Sequence, residues 1–392
     1  MPRGYSHIVI GAGAIGSATA YWLAARGAER VLVLEQFDLV NTFGSSGDHS
    51  RIIRHAYHST AYTKLTPAMF EAWKQVEAES GLKLVTTTGG LDLAAPGKGA
   101  AELAGYQAPM DAVGIPYEKL TADQIREAWP QWRIDDDVTG MFQADGGLLD
   151  IRRSVSAHTS LALARGVEFR PHTKVESVSL RAGTVEVATS AGRFTADHLV
   201  VAAASWLGEL MPDLGLNFTL ALSQEQVSYF ASRELARFTP EKFPIWVYHD
   251  TEVLYGFPVY GEAGVKLARD MRGHFIASED RVFEGDDTEA AILRGFLEKH
   301  LPGAAGPALA NKTCIYDMAP DRDFVLDALP EHPNVAVFNG AGHAGKFASL
   351  IGQILADLML SGSTGHDIKP FSLLRPAITD PEFVPVYRLG TA

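Results

Sequence analysis

The chain has 392 residues, of which 46% are hydrophobic and 21% charged, the balance of a soluble globular protein with ample core volume. Its formal charge of −13 argues against a general affinity for nucleic acid or anionic membrane, since both need a basic surface, and leaves room for a local basic pocket. The single cysteine, Cys314, excludes an internal disulfide and a zinc site built on several thiolates, and no metal site is expected.

The opening run MPRGYSHIVIGAGAIG lacks the charged start, apolar stretch and small-residue cleavage site of a secretory signal. No stretch approaches the ~20 apolar residues that span a bilayer, so a cytoplasmic protein with no membrane partner is expected. His7–Ile10 reads as a buried strand, and Gly11, Gly13 and Gly16 follow it as G-x-G-x-x-G. SATAYWLAARG has helical periodicity with Gly27 as its stop, and RVLVLE is a second strand ending in Glu35. Gly11 permits the tight turn, Gly13 lets backbone approach a pyrophosphate at the helix start, and Gly16 lets helix and strand pack closely. Glu35, 19 residues past Gly16, is placed to accept hydrogen bonds from a ribose, and an acid there disfavours NADP. The motif does not separate NAD from FAD.

Beyond this cradle, Asn41–Ser50 is a loop rich in Gly, Ser and Asp. YTKLTPAMFEAWKQVEAES predicts an amphipathic helix with Leu65, Met69, Phe70, Trp73 and Val76 on one face. VTTTGGLDLA resembles a strand entering a different sheet, and residues 98–134 read as helices and loops. GVEFRPHTK begins a run of short alternating strands that ends in the continuous apolar strand HLVVAAA. Strand patterns return from Ser223 to Lys266, with VLYGFPVYGEAGVKLA as a hairpin; NVAVFNGAGHAGKFASLIGQILADLML is strand, Gly-rich turn and helix. The predicted fold is α/β (α+β overall), with two domains that the chain crosses several times. A Rossmann-like, doubly wound dinucleotide-binding domain takes 1–82, 148–220 and 318–392, and a second domain on a mostly antiparallel sheet, read as substrate-binding, takes 83–147 and 221–317.

Together with the cradle, GSSGDHSRIIRHAY, LYGFPVYGEAGVKLA, KTCIYDMAPDRDFVLD and FNGAGHAGKFASLIGQ resemble the sarcosine oxidase family, the covalent-flavin branch of the D-amino-acid-oxidase-like FAD enzymes. The resemblance runs through nearly the whole chain in the family's order. It implies that Gly11, Gly13, Gly16 and Glu35 hold the ADP half of FAD. By the same match, Ser45, Ser46, Ser50 and Arg51 lie along the pyrophosphate and flavin ring, Val175 touches the adenine region, and Gly342 and Lys346 belong to the cofactor site. Cys314 would be joined through sulfur to the 8α-methyl carbon of the flavin. Arg54 and Lys346 would clamp a substrate carboxylate, Lys266 would assist the reaction with O2, and Tyr255, Tyr316 and His343 would line the pocket.

The implied activity is oxidation of a secondary or N-substituted amino acid. Hydride passes from the carbon next to nitrogen to flavin N5, O2 is reduced to H2O2, and the imine is hydrolysed to amine and carbonyl. The implied partners are a small amine or amino acid and O2, and the family tends towards monomers. Two positions depart from the family. Gly47 stands where many sarcosine oxidases carry a histidine, and Asp270 where a histidine of the active site is expected. Both lie on the flavin or substrate side and turn the expectation from sarcosine towards a different N-substituent. The carboxylate could repel a second anion or pair with an extra hydroxyl or amine.

Each residue also has a plainer reading. A strand lysine such as Lys266 ordinarily faces water, and Cys314 alone reads as a small buried hydrophobe. Arg51 and Arg54 face opposite sides if SRIIRHAY is a strand and the same side if it is helical; the Ile-Ile between them suggests burial, where a guanidinium demands an anion. Three other functions fit part of the pattern. They are an FAD oxidase or dehydrogenase acting on another C–N or C–OH bond, an NAD-dependent dehydrogenase, and a flavin-binding subunit of a multi-chain oxidase.

Overall fold

Strand alternation explains the first layer of the computed structural model, which describes residues 4–181 and 183–387. In Gly4–Ile10 and Val31–Leu34 every second side chain joins one of two cores. Val9, Val31 and Val33 pack against helices Ala14–Ala25, Ile151–Ala164 and Ala348–Ser361. Ile8, Ile10, Leu32 and Leu34 face the opposite way, into a cluster with Leu207 and Leu210. A strand buried on both faces needs a continuous apolar run, as these runs supply. Parallel strands Glu168–Arg170, Val31–Leu34, Gly4–Ile10, Gly192–Val201 and His332–Asn339 form the centre of an eight-stranded sheet. Val175–Arg181, Thr184–Thr189 and Val325–Leu329 add antiparallel pairs at its flanks.

The second sheet has nine strands and is almost wholly antiparallel. Its order is His274–Ile276, Ala221–Phe230, Val265–Arg269, Val253–Phe257, Ile245–His249, Gly90–Ala94, Thr139–Gln143 and Glu118–Thr121. Ala308–Met318 pairs along Ala221–Phe230, and only Gly90–Ala94 with Ile245–His249 is parallel. Helix Asp287–His300 backs it through Leu293 and Leu297. A small third sheet, Ser50–Ile53, Gly147–Asp150 and Val85–Thr87, joins the two.

Three local expectations change. VTTTGGLDLA is two strands in different sheets, Val85–Thr87 and Gly90–Ala94, because the Gly89-Gly90 pair lets the chain turn between them. Residues 98–134 are not only helix and loop: Glu118–Thr121 pairs with Thr139–Gln143 as an edge strand, a tertiary pairing its polar sequence does not announce. Helix Thr66–Ser80 follows a separate short turn, Thr60–Thr63, so Leu65 caps it, while Phe70 is only half-buried and packs on the His55 ring.

Candidate active site

A cavity of about 680 Å³ is lined from both large sheets. At one end its wall is formed by four chain turns, Gly11 to Ile15, Leu34 to Phe37, Thr173 to Val175 and Ala202 to Ala204. Gly11 has φ +95°, and a Cβ there would lie 2.5 Å from the Ala202 carbonyl oxygen. Helix Ala14–Ala25 starts at Gly13, which offers no capping side chain, and has no acid in its first turn, so its remaining first-turn N–H groups and positive dipole end are available to an anion. Ser46 Oγ accepts the Ala14 N–H at 2.9 Å. Glu35 accepts the N–H of Ala12 at 2.8 Å and of Phe37 at 3.0 Å, which fixes its carboxylate in the wall. This cradle, narrow where a Cβ would fill it and with no acid in the first turn of its helix, fits the diphosphate of FAD.

At the other end the wall is charged side chains. Strand Val265–Arg269 places Lys266 between Tyr229 and Phe257 on the neighbouring strands, with Nζ 4.5 Å from the Phe257 ring centre. The ammonium lies 2.6 Å from Asp48 Oδ2 and donates to the Ser50 carbonyl at 3.0 Å. Burial disfavours charge on both partners. It prevails at Lys266, whose pKa is lowered, whereas the lysine's field outweighs it at Asp48, whose pKa falls below the usual carboxylate range. Asp48 also accepts from Tyr229 Oη at 2.7 Å and from Lys312 Nζ at 3.2 Å.

Lys346 donates to Tyr57 Oη at 2.8 Å; burial first, then nearby Arg54, pushes its pKa down to about 7. Arg54 Nη1 is 2.6 Å from buried Asp92, under the ring of Tyr106. Among the described residues the Arg51 guanidinium bonds to backbone carbonyls of Ser45, Gly47 and Ser50 and to no carboxylate, so its N–H fork has no anionic partner in direct contact. Lys312, Cys314 and Tyr316 share one face of Ala308–Met318 by the two-residue period of a strand. Burial pushes the Cys314 thiol up to about 11, with Arg51 opposing it. His343 stacks on Phe324 at 4.8 Å and is pushed well below the normal histidine range by burial.

The cavity wall includes Gly11, Gly13, Glu35, Ser45, Ser46, Ser50, Arg51, Arg54, Val175, Tyr255, Lys266, Cys314, Tyr316, Gly342, His343 and Lys346. Gly16 is not on it: its Cβ position lies 1.9 Å from the Gly11 carbonyl oxygen, so it permits the turn from beneath. Arg51 and Arg54 both reach the cavity although SRII is a strand, because the chain leaves the sheet after Ile53. Cys314 is only partly buried and faces the cavity rather than a packed core. Sequence reasoning missed Asp48, Tyr57, Asp92 and His249. The one available signal was general: buried cations need counter-charges, and the sequence does not say which acids are near.

Residues 6–358 match a family model described as FAD dependent oxidoreductase, and the chain belongs to that family. It is 34% identical to a monomeric sarcosine oxidase of Bacillus sp. (strain B-0618), over 97% of this chain and 98% of that protein. It is 30% identical to an N-methyl-L-tryptophan oxidase of Yersinia pestis (strain Pestoides F), over 95% and 99%. Among solved structures it is similar to the open form of NikD, an unusual amino acid oxidase essential for nikkomycin biosynthesis, with TM-score 0.84, 27% identity, and 94% and 97% of the chains covered.

Proposed function

We propose that this FAD-dependent oxidoreductase oxidises secondary or N-substituted amino acids at the carbon next to nitrogen, with O2 as acceptor. The observation that carries the reading is the meeting of two basic side chains, buried Arg54 and half-buried Lys346, with the nucleotide cradle in one cavity. FAD, when bound, supplies the acceptor for the hydride equivalent and returns it to O2. Gly11, Gly13, Glu35 and Val175 would hold its ADP half, with Gly16 shaping the turn from beneath, and Ser45, Ser46, Ser50, Arg51 and Gly342 would lie along the pyrophosphate and flavin ring. Arg54 and Lys346 hold the substrate carboxylate and so fix which C–H bond is presented, which is catalysis by orientation. Tyr57, Tyr255, Tyr316 and His343 exclude water around the amine. Lys266, fixed by Asp48, provides a stationary cation for negative charge formed in the oxygen reaction.

The reading includes a covalent bond from Cys314 sulfur to the 8α carbon of the cofactor, formed with loss of one hydrogen from the thiol and one from the 8α-methyl, the two electrons going to O2. Its support is that the only cysteine lies on the cavity wall with cationic Arg51 and Lys266 near it. It also assigns 1–82, 148–220 and 318–392 to cofactor binding and 83–147 with 221–317 to the substrate. A cytoplasmic monomer is proposed; no helix among the described residues is long and apolar enough to cross a membrane.

Two measurements test this. Peroxide release is expected from at least one of sarcosine, larger N-methyl amino acids, pipecolate and fructosyl amino acids, and no turnover across that panel overturns the assignment. Acid precipitation should leave yellow colour on the wild type and none on Cys314→Ala; free flavin from the wild type rejects the covalent bond alone.

A further inference from the structure

The substrate end holds more charge than a carboxylate clamp requires. Asp92, besides pairing with Arg54, lies 3.0 Å from His249 Nε2. His249 is fully buried and turns Nδ1 towards Glu102 Oε2 at 3.5 Å, an ion-pair contact longer than a good hydrogen bond, and among the described residues neither atom has a closer hydrogen-bond partner. Helix Lys98–Val113 reaches this close because residue 99 is glycine: a Cβ there would lie 2.2 Å from the His249 carbonyl oxygen. The sheet register adds a second carboxylate. His249 pairs with Val253, and Asp270 N–H donates to the Val253 carbonyl at 2.8 Å. Asp270 is thinly partnered, with Tyr316 Oη at 3.5 Å and Arg322 at 3.7 Å. Glu102, His249, Val253 and Asp270 all line the cavity.

We propose that Glu102 and Asp270 form an anionic subsite for a protonated amine on the substrate, so that the preferred N-substituted amino acids carry a second cationic group besides the nitrogen that is oxidised. This rests on the carboxylate-clamp reading of Arg54 and Lys346. The two sites have opposite sign and suit the two ends of one ligand. Each carboxylate meets only long contacts, Glu102 with His249 at 3.5 Å and Asp270 with Tyr316 at 3.5 Å and Arg322 at 3.7 Å, so a charge-assisted bond at normal distance would add to both. Sarcosine can occupy the clamp but has no group that reaches Glu102.

The test uses the holoenzyme and non-oxidisable probes, read by titration calorimetry. The ω-amino acids 4-aminobutanoate, 5-aminopentanoate and 6-aminohexanoate are compared with pentanoate, hexanoate and heptanoate, which replace the ammonium by methyl. At the best length the amino compound should bind at least about tenfold tighter, as one charge-assisted bond provides. Glu102→Gln and Asp270→Asn, each measured separately, should each cut that advantage to within about threefold. Equal or tighter binding of the alkanoates at every length overturns this inference alone, as does an advantage that survives both substitutions. If neither series binds, the clamp reading fails and this inference with it.

Discussion

At the nucleotide end of the cavity the wall is largely main chain, from Gly11 and Gly13 to the start of helix Ala14–Ala25, with Glu35 and Ser46 bonded to its N–H groups. At the substrate end it is side chains from distant stretches: Arg51 and Arg54, Glu102, His249, Lys266 and Asp270, Cys314 and Tyr316, His343 and Lys346. The first end is defined by atoms that must be absent and the second by charges that must balance. One should therefore fail sterically and the other electrostatically.

The largest effect should come from Gly16→Val, which forces a side chain against the Gly11 carbonyl that its Cβ position already overlaps. No FAD-loaded protein is expected, measured as flavin absorbance per polypeptide; a normally loaded variant would remove the steric account of the cradle. Lys266→Met comes next. The rate of the oxygen reaction should fall by about 10²–10³-fold, and stability should drop by up to about 3–5 kcal/mol as buried Asp48 loses a partner. Adding Asp48→Asn should restore stability in denaturant titrations without restoring the oxygen rate. Recovery of both would make Lys266 a structural cation only.

The smallest effect concerns Lys346, with its pKa near 7. Below that pH it is protonated and attracts a carboxylate; above it the neutral amine does not. Affinity for a carboxylate ligand should therefore weaken as pH rises above about 7, by at most about tenfold per unit. Lys346→Arg, permanently charged, should flatten that profile, and Lys346→Met should weaken binding and flatten it too. An unchanged slope in either variant would assign the titration to another group.

Much of the fold was legible because its signals are local. The glycine spacing, the apolar strands on both sides of helix Ala14–Ala25 and the strand–turn–helix at 332–361 each lie within one segment. The split of VTTTGGLDLA between two sheets and the edge strand Glu118–Thr121 were not legible, since both depend on partners far along the chain. The candidate residues of the site could be named, Lys266 and Cys314 among them, but only through resemblance. Nothing in GVKLA distinguishes an inward from an outward lysine.

The sequence by itself determined the nucleotide cradle, because a cradle made of missing side chains is written as consecutive glycines. Tertiary structure alone decided the charge arrangement. It paired Lys266 with Asp48 and Arg54 with Asp92, and it set His249 between Asp92 and Glu102. Electrostatic energy depends on distance and burial rather than on order along the chain. Charges separated by tens or hundreds of residues therefore acquire their roles only when the two large sheets enclose them.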